Sequence, residues 1–400
     1  MGLVLNAVLM VWTGLLFAEK PAEKPEQKPA IDQAWDLVAR DKRPEAMALL
    51  RDEVGKHPQN ADARLLLGSL LSESGEAAEG ISHLRDGLRL RPRSAMAHNA
   101  LGEALSDIGN FQEAREEFER AVALDPKLAP ARENLGLMRL QGGDLAGAAQ
   151  QLNRAIQLYG QKEAGAYAKY LRARVHTASG ALEKAETDLR SAVALRPDLA
   201  EAWSDLGQVR EKLDDDGGAL AALQRSVEVN PEGAVARTRL GSLYLRLGKP
   251  GDAIPHLERA VESAPDDQTA LNSLQRALRE AGQPEKADQV KRRLAELIRK
   301  RDRDSQNALA AVSLNNEGAE LQKHGKLAEA AEKYRAALEL NPGHAGMRVN
   351  YAIALLKLGR WEQGLEELRA AIRQDPSNQK FQRALEDALA QAPAQFRRPK

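Results

Sequence analysis

AMAHNALGEALSDIGNFQEAREEFERAVALDP, residues Ala95 to Pro126, is the stretch that decides how this chain folds. Its apolar residues fall in two blocks at helical spacing. Leu101, Leu105 and Ile108 form the first, and Phe111, Ala114, Phe118, Ala121 and Leu124 the second, with Gly109-Asn110 between them. The pattern reads as two short helices joined by a turn. Gly109 can take positive φ without a Cβ clash, and Pro126 cannot continue the helical hydrogen-bond ladder.

The same punctuation extends outward in both directions. A proline returns every 34 residues at Pro58, Pro92 and Pro126, again at Pro197, Pro231 and Pro265, and at Pro342 and Pro376. Ten positions later come Gly68, Gly102, Gly136, Gly207 and Gly241, and seven further on Gly75, Gly109, Gly143 and Gly248. Gly102 would cost about 1 kcal/mol relative to alanine inside a helix. Its recurrence therefore implies a compensating close approach between helices, with small residues such as Ala114, Ala121, Ala148, Ala155, Ala185, Ala192, Ala253 and Ala260 on the opposing helix.

This unit resembles the tetratricopeptide repeat (TPR), a 34-residue helix-turn-helix. The resemblance implies an all-α solenoid, a right-handed superhelix whose first helices line a concave groove. Units start near Gln27 (degenerate), Ala61, Ala95, Ala129, Ala166, Ala200, Ala234, Gln268, Ala311 and Ala345. The expected organisation is an array over 31–301 of about eight units, an irregular joint or a continuous helix over 302–310, two further units over 311–378, a capping helix over 379–391 and a flexible tail over 392–400. Three departures mark candidate hinges: Gly160 where a proline is due, Asp214-Asp215-Asp216-Gly217-Gly218 where the turn glycine belongs, and Arg299 in place of a closing proline. The joints at 160–165 and 302–310 are expected to open first, since a repeat array is held mainly by nearest neighbours.

Lys plus Arg equals Asp plus Glu at 58 each, so no global field draws a nucleic acid. The absence of cysteine excludes disulfides, thiolate nucleophiles and cysteine metal sites. No phosphate loop, dinucleotide loop, HExxH pair or serine elbow occurs, so the chain reads as non-enzymatic, with no catalytic residue, metal site or cofactor. The seven histidines lack i, i+4 partners. Asp214–Gly218 is not a calcium loop, because the position of the bidentate acid is Arg225. The basic run Lys291 to Arg303 carries interleaved acids and no stacking aromatics, and reads as a solvated helix face.

Residues 1–18 carry no charge and contain an apolar run, Leu3 to Ala18. The run is short for a span of roughly 30 Å at 1.5 Å per residue. It reads as a signal peptide or, alternatively, a short membrane anchor; the chain is expected to be exported, periplasmic or extracellular, and its style to be bacterial. Residues 19–30 form a Pro/Lys/Glu-rich spacer.

The family pattern turns the second, fifth, sixth, ninth and twelfth positions of each unit into the groove. Early units place Asn99, Glu103, Glu133, Asn134, Glu201, Asp205 and Glu211 there; later ones place Arg239, Asn272, Arg276 and Arg279. The groove is thus expected to be acidic first and basic later, orienting a peptide by charge. Tyr167 and Tyr170 are read either as anchors for a partner or as packing at an imperfect joint. Asn316 and Asn350, like Asn134, sit at the sixth position, where in some family members asparagine bonds a bound peptide backbone. The lysine clamp that family members use on C-terminal carboxylates is not present. The expected function is a scaffold or adaptor binding a protein or peptide in the groove; the alternatives are a structural assembly protein that stacks through its repeats and a non-catalytic targeting subunit of an enzyme.

Overall fold

The computed structural model describes residues 29–375 and 378–396. The apolar run, the spacer up to residue 28, residues 376–377 and the last four residues lie outside them. Among the described residues all regular structure is helical, and the packing divides into two bodies at Ala287/Asp288.

In the first body, α1 (Ala30–Ala39) and α2 (Arg43–Lys56) form the degenerate opening pair. Then come α3 (Ala61–Glu73) with α4 (Ala77–Leu90), α5 (Ala95–Asp107) with α6 (Phe111–Leu124), and α7 (Ala129–Gln141) with α8 (Leu145–Tyr159). They are followed by α9 (Ala166–Ala178) with α10 (Leu182–Leu195), α11 (Ala200–Lys212) with α12 (Asp216–Val229), α13 (Ala234–Arg246) with α14 (Pro250–Ser263), and α15 (Gln268–Glu280). Odd numbers are thus first helices and even numbers second helices. From α3 to α13 each first helix packs on its own second helix and on the second helix before it, so these units need a neighbour to complete their cores.

The repeated glycine has a specific counterpart. A Cβ built on Gly102 would sit 2.6 Å from the Phe118 ring, and one on Gly136 2.7 Å from Leu152 Cγ. The residue that glycine accommodates is therefore a large one, sixteen positions on; the alanines named above, such as Ala114 and Ala121, fill the buried seam beside it. The turn glycine Gly109 has φ +80°, and at the corresponding turn between α11 and α12 Asp214 takes φ 61° instead. Aspartate tolerates this left-handed conformation better than most residues, which is how that unit keeps its turn without glycine.

A second periodic device escaped the sequence reading. Six residues after the period proline, a side-chain N–H returns to that proline's carbonyl. Arg64 Nε reaches Pro58 at 2.7 Å, Arg132 Nε reaches Pro126 at 2.7 Å, and Arg237 Nε reaches Pro231 at 2.6 Å. Trp203 Nε1 donates to Pro197 at 3.0 Å, and His98 Nε2 lies 3.1 Å from the Pro92 oxygen. The bond holds the loop between units against the start of the next helix, at a typical net worth of about 1 kcal/mol. The signal was in the chain as a donor-bearing residue, but its variety (Arg, His, Trp) hides it from a search for repeated letters.

At the irregular joint, Gly160 takes φ 65° and a short 3-10 turn spans Glu163–Gly165. Tyr159 and Tyr170 are buried there in one cluster with Leu152, Leu171 and Leu189. The acidic turn is held within itself, where Asp215 Oδ1 accepts from the Gly218 N–H at 2.9 Å, and to the next unit, where Asp216 pairs with Arg246 on α13 at 2.6 Å.

Helix α16 (Pro284–Lys323, 40 residues) is unbroken, and residues 302–310 are helical within it. In the second body its C-terminal turns pack with α17 (Leu327–Leu340): Gly318 faces Tyr334, and Ala311 and Leu314 share a cluster with Ala337 and Leu338. Then follow α18 (Ala345–Lys357), α19 (Trp361–Gln374) and α20 (Gln379–Gln391). The expected flexible tail is corrected in part. Ala392 is fully buried and a short 3-10 turn over Ala394–Phe396 brings Phe396 against the cluster of Ala352, Leu365, Leu368 and Ala388.

Candidate partner-binding site

The first helices are the inner side of the stack in the first body. Successive ones touch each other directly, α3 with α5, α5 with α7, α7 with α9, α11 with α13, and α13 with α15. Among the described residues, second helices of successive pairs do not pack as closely. Helices that converge on one side of a stack make that side concave.

The floor of this side is a hydrogen-bonded ladder. Asn134 Nδ2 on α7 donates to Asn99 Oδ1 at 3.1 Å and to Glu103 Oε1 at 2.8 Å, both on α5; Asn99 Nδ2 donates to the same Glu103 oxygen at 3.1 Å. The rule is that the sixth residue of one unit reaches the fifth and ninth of the unit before. Arg239 on α13 repeats it, with Ser204 Oγ and Asp205 Oδ1 each at 2.7 Å and Gln208 Oε1 at 3.1 Å, all on α11. Ser273 on α15 and Ser242 on α13 repeat it again at 3.0 Å. In the second body Asn350 Nδ2 donates to Asn315 Oδ1 at 3.0 Å.

This ladder corrects the expectation that Asn99, Asn134 and Arg239 stand free for a ligand. Asn99 is 2% exposed and Asn134 7%, and their amides are spent between helices, as burial of polar groups demands. Arg239 gives its charge to Asp205, so the later groove is less basic than its letters suggest. Arg276 is exposed but pairs with Glu280 at 2.7 Å. Asn272 and Arg279 on α15 and Asn316 on α16 are exposed, and Asn350 is half-buried. Tyr167 and Tyr170 pack on each other, ring centroids 5.6 Å apart; Tyr170 belongs to the core of the joint and Tyr167 lies at its rim. The basic stretch of α16 lines a shallow hollow of about 490 Å³ formed by Glu296, Arg299, Asp302, Arg303 and Gln306, all exposed.

The early groove is acidic in an unusual way. Glu133, beside Asn134 on α7, is 4% exposed, takes a hydrogen bond from the Ala168 backbone, and leaves Oε2 without a partner. Burial first, and then the charge of Glu103, push its carboxyl up to about 8. Burial likewise pushes Glu103 up to about 7 against the opposing pull of its two asparagine donors. The hydroxyls of Tyr159 and Tyr167 are also raised, by burial and then by Glu133. Sequence reasoning placed Glu103 and Glu133 in the groove but could not foresee how deeply Glu133 is enclosed.

Models of the tetratricopeptide repeat match residues 31–95, 69–129, 99–163, 135–200 and 170–235, and, in a second form, 215–278 and 321–391. Solved structures of the same kind overlay parts of the chain. A tetratricopeptide repeat protein from Parabacteroides merdae is 14% identical, with TM-score 0.49 over 62% of this chain and 97% of its own. PilF of Pseudomonas aeruginosa is 19% identical, with TM-score 0.48 over 53% of this chain and 95% of its own. YrrB, described as a TPR protein with an unusual peptide-binding site, is 19% identical, with TM-score 0.38 over 48% and 96%. No curated protein matches the chain in sequence. With the 34-residue period, the paired helices and family models spanning more than half of its length, the chain belongs to the tetratricopeptide repeat family.

Proposed function

We propose that this protein is a non-enzymatic scaffold that holds a protein or peptide partner against the first-helix face of its first body, and that it is exported, a reading supported by the uncharged apolar run Leu3 to Ala18. The observation that carries the binding reading is a division of labour along that face. Asn99, Asn134 and Arg239 are consumed in tying helices together, while Glu201, Asn272, Arg276 and Arg279, at the remaining inward positions, stay exposed over a braced floor. A rigid concave surface lined by varied side chains loses little entropy when a partner docks.

The test is cross-linking capture in the native cell with the full chain, run beside a folded variant carrying Asn272→Ala, Arg276→Glu and Arg279→Glu. Loss of a specific captured protein from the variant supports the first-helix face. Equal capture by both chains moves the contact elsewhere and removes the reading.

A further inference from the structure

We propose that His98 makes the joint between the α3–α4 and α5–α6 units sensitive to pH: a proton on its imidazole fastens the connecting loop to α6, and loss of that proton unfastens it. This holds whichever partner the inner face binds. Both ring nitrogens meet acceptors. Nδ1 lies 2.6 Å from Glu117 Oε2 on α6, and Nε2 lies 3.1 Å from the Pro92 carbonyl oxygen in the loop before α5. A carbonyl oxygen and an ionised carboxylate can only accept, so both contacts are hydrogen bonds only when both nitrogens carry hydrogen. Arg120 donates to the other Glu117 oxygen and so favours the ionised carboxylate, which places the shared proton on the ring.

The same brace recurs with a charge that pH does not remove. Arg132 bridges Pro126 and Gln151 with both bonds at 2.7 Å, and in the second body Arg348 bridges Pro342 at 2.9 Å and Glu367 at 2.6 Å. In all three cases the donor stands six residues after the proline, and its second acceptor nineteen residues further on. A guanidinium stays protonated wherever a protein folds, whereas imidazole changes charge near neutrality. Trp203 is the uncharged counterpart, with a single N–H spent on Pro197.

The surroundings keep His98 charged beyond the ordinary imidazole range. The hydrogen bond from Glu117 raises its pKa most; burial opposes this, the Pro92 carbonyl and the Glu117 charge add to the rise, Arg120 lowers it, and the balance lies above 6.5. On the elements packed beside α5, Asp86 is taken by Arg64, Arg85 by Glu113, Asp62 by Arg91 and Arg132 by Gln151. Because folding raises this pKa, the brace is complete below pH 6.5 and is lost as pH rises through the folded value. A neutral ring keeps one N–H, and the carboxylate is the stronger acceptor, so the Pro92 contact is the one that lapses. Asn99, the next residue, is a rung of the inner-face ladder, so the surrounding pH sets how firmly that face is braced at α5.

The experiment is a nitrogen NMR titration of the histidine rings in the full chain, read together with amide exchange in the first turn of α5, for wild type, Glu117→Gln and His98→Arg. Both His98 ring nitrogens should be protonated at pH 7, with a midpoint above 6.5 that falls by about one pH unit in Glu117→Gln. Between pH 6 and pH 9.5, exchange protection at position 98 should drop about fivefold more in wild type than in His98→Arg, the worth of one hydrogen bond. Glu103 and Glu133 act on both chains alike and cancel in that ratio. His98→Arg copies the brace that Arg132 and Arg348 already form, and the ring titration of wild type needs no variant at all. A midpoint at or below 6.5, a single protonated ring nitrogen at pH 7, an unchanged midpoint in Glu117→Gln, or equal loss of protection in wild type and His98→Arg overturns the proposal.

Discussion

The α5–α7 step and the α11–α13 step both set the sixth residue of one unit against the fifth and ninth of the unit before, and they reach different electrostatic balances. At α11–α13 the sixth residue is Arg239, and the Asp205 carboxylate is matched within the stack. At α5–α7 the sixth residue is Asn134, an amide that can bond Glu103 but cannot neutralise it. The ladder positions are shared, with Asp205 as an added partner of Arg239. What differs is the counter-group: Asp205 meets a guanidinium, and Glu103 meets two neutral amides.

The largest expected effect that separates the two steps is on stability against pH. Glu103 and Glu133 titrate higher in the fold than in the unfolded chain, where a carboxyl is near 4.5. Their contribution is therefore fully present below about pH 4.5 and is lost as pH rises through 7 and 8, when the folded state must hold charge that the unfolded state carries freely. Glu133→Gln should remove much of this loss, stabilising the α5–α9 region at pH 9 by on the order of 3 kcal/mol. Hydrogen exchange of α5–α9 at pH 6 and pH 9 reads it; an unchanged pH dependence in the variant would show that Glu133 is solvated.

Next in size is a change that should not discriminate. Gly102→Ala and Gly241→Ala each force a Cβ to within 2.6 Å and 2.5 Å of buried Phe118 and Leu257. Overpacking outweighs the helix-propensity gain, and each should cost about 1–2 kcal/mol in chemical denaturation. A markedly larger cost at one site would mean that the two steps differ in packing as well as in charge.

Arg239→Met tests the balanced step. It removes three side-chain hydrogen bonds and leaves Asp205 without its counter-ion, but the pair is about a quarter exposed, so a loss of only about 1 kcal/mol is expected. A double cycle with Asp205→Asn measures the coupling. Smallest is Asp214→Gly at the α11–α12 turn, which relieves the left-handed conformation and should stabilise by about 0.5 kcal/mol by the same denaturation assay.

The repeat was legible because its punctuation is local. Proline, turn glycine and helical apolar spacing act within a few residues of themselves, so Pro126, Gly109 and the Leu101–Leu105 stripe announce the helix pair without reference to any neighbour. The small-residue argument at Gly102 was legible for the same reason, although its counterpart, Phe118, lies on the next helix and became clear only in the packing. The groove was legible as a set of positions. Its chemistry was not, because what Asn134 does depends on Asn99 and Glu103, 35 and 31 residues away, brought within hydrogen-bond reach by the stacking of units.

That boundary has a physical cause. Helix formation, turn geometry and chain termination are set by dihedral preferences and short-range spacing, and these are written in consecutive letters. Burial, partner choice and protonation are properties of what surrounds a side chain after folding. Glu103 and Glu133 read from the chain as groove-lining acids; stacking α7 on its neighbours buries Glu133 and half-buries Glu103 under two asparagine amides, and both carboxyls are pushed up.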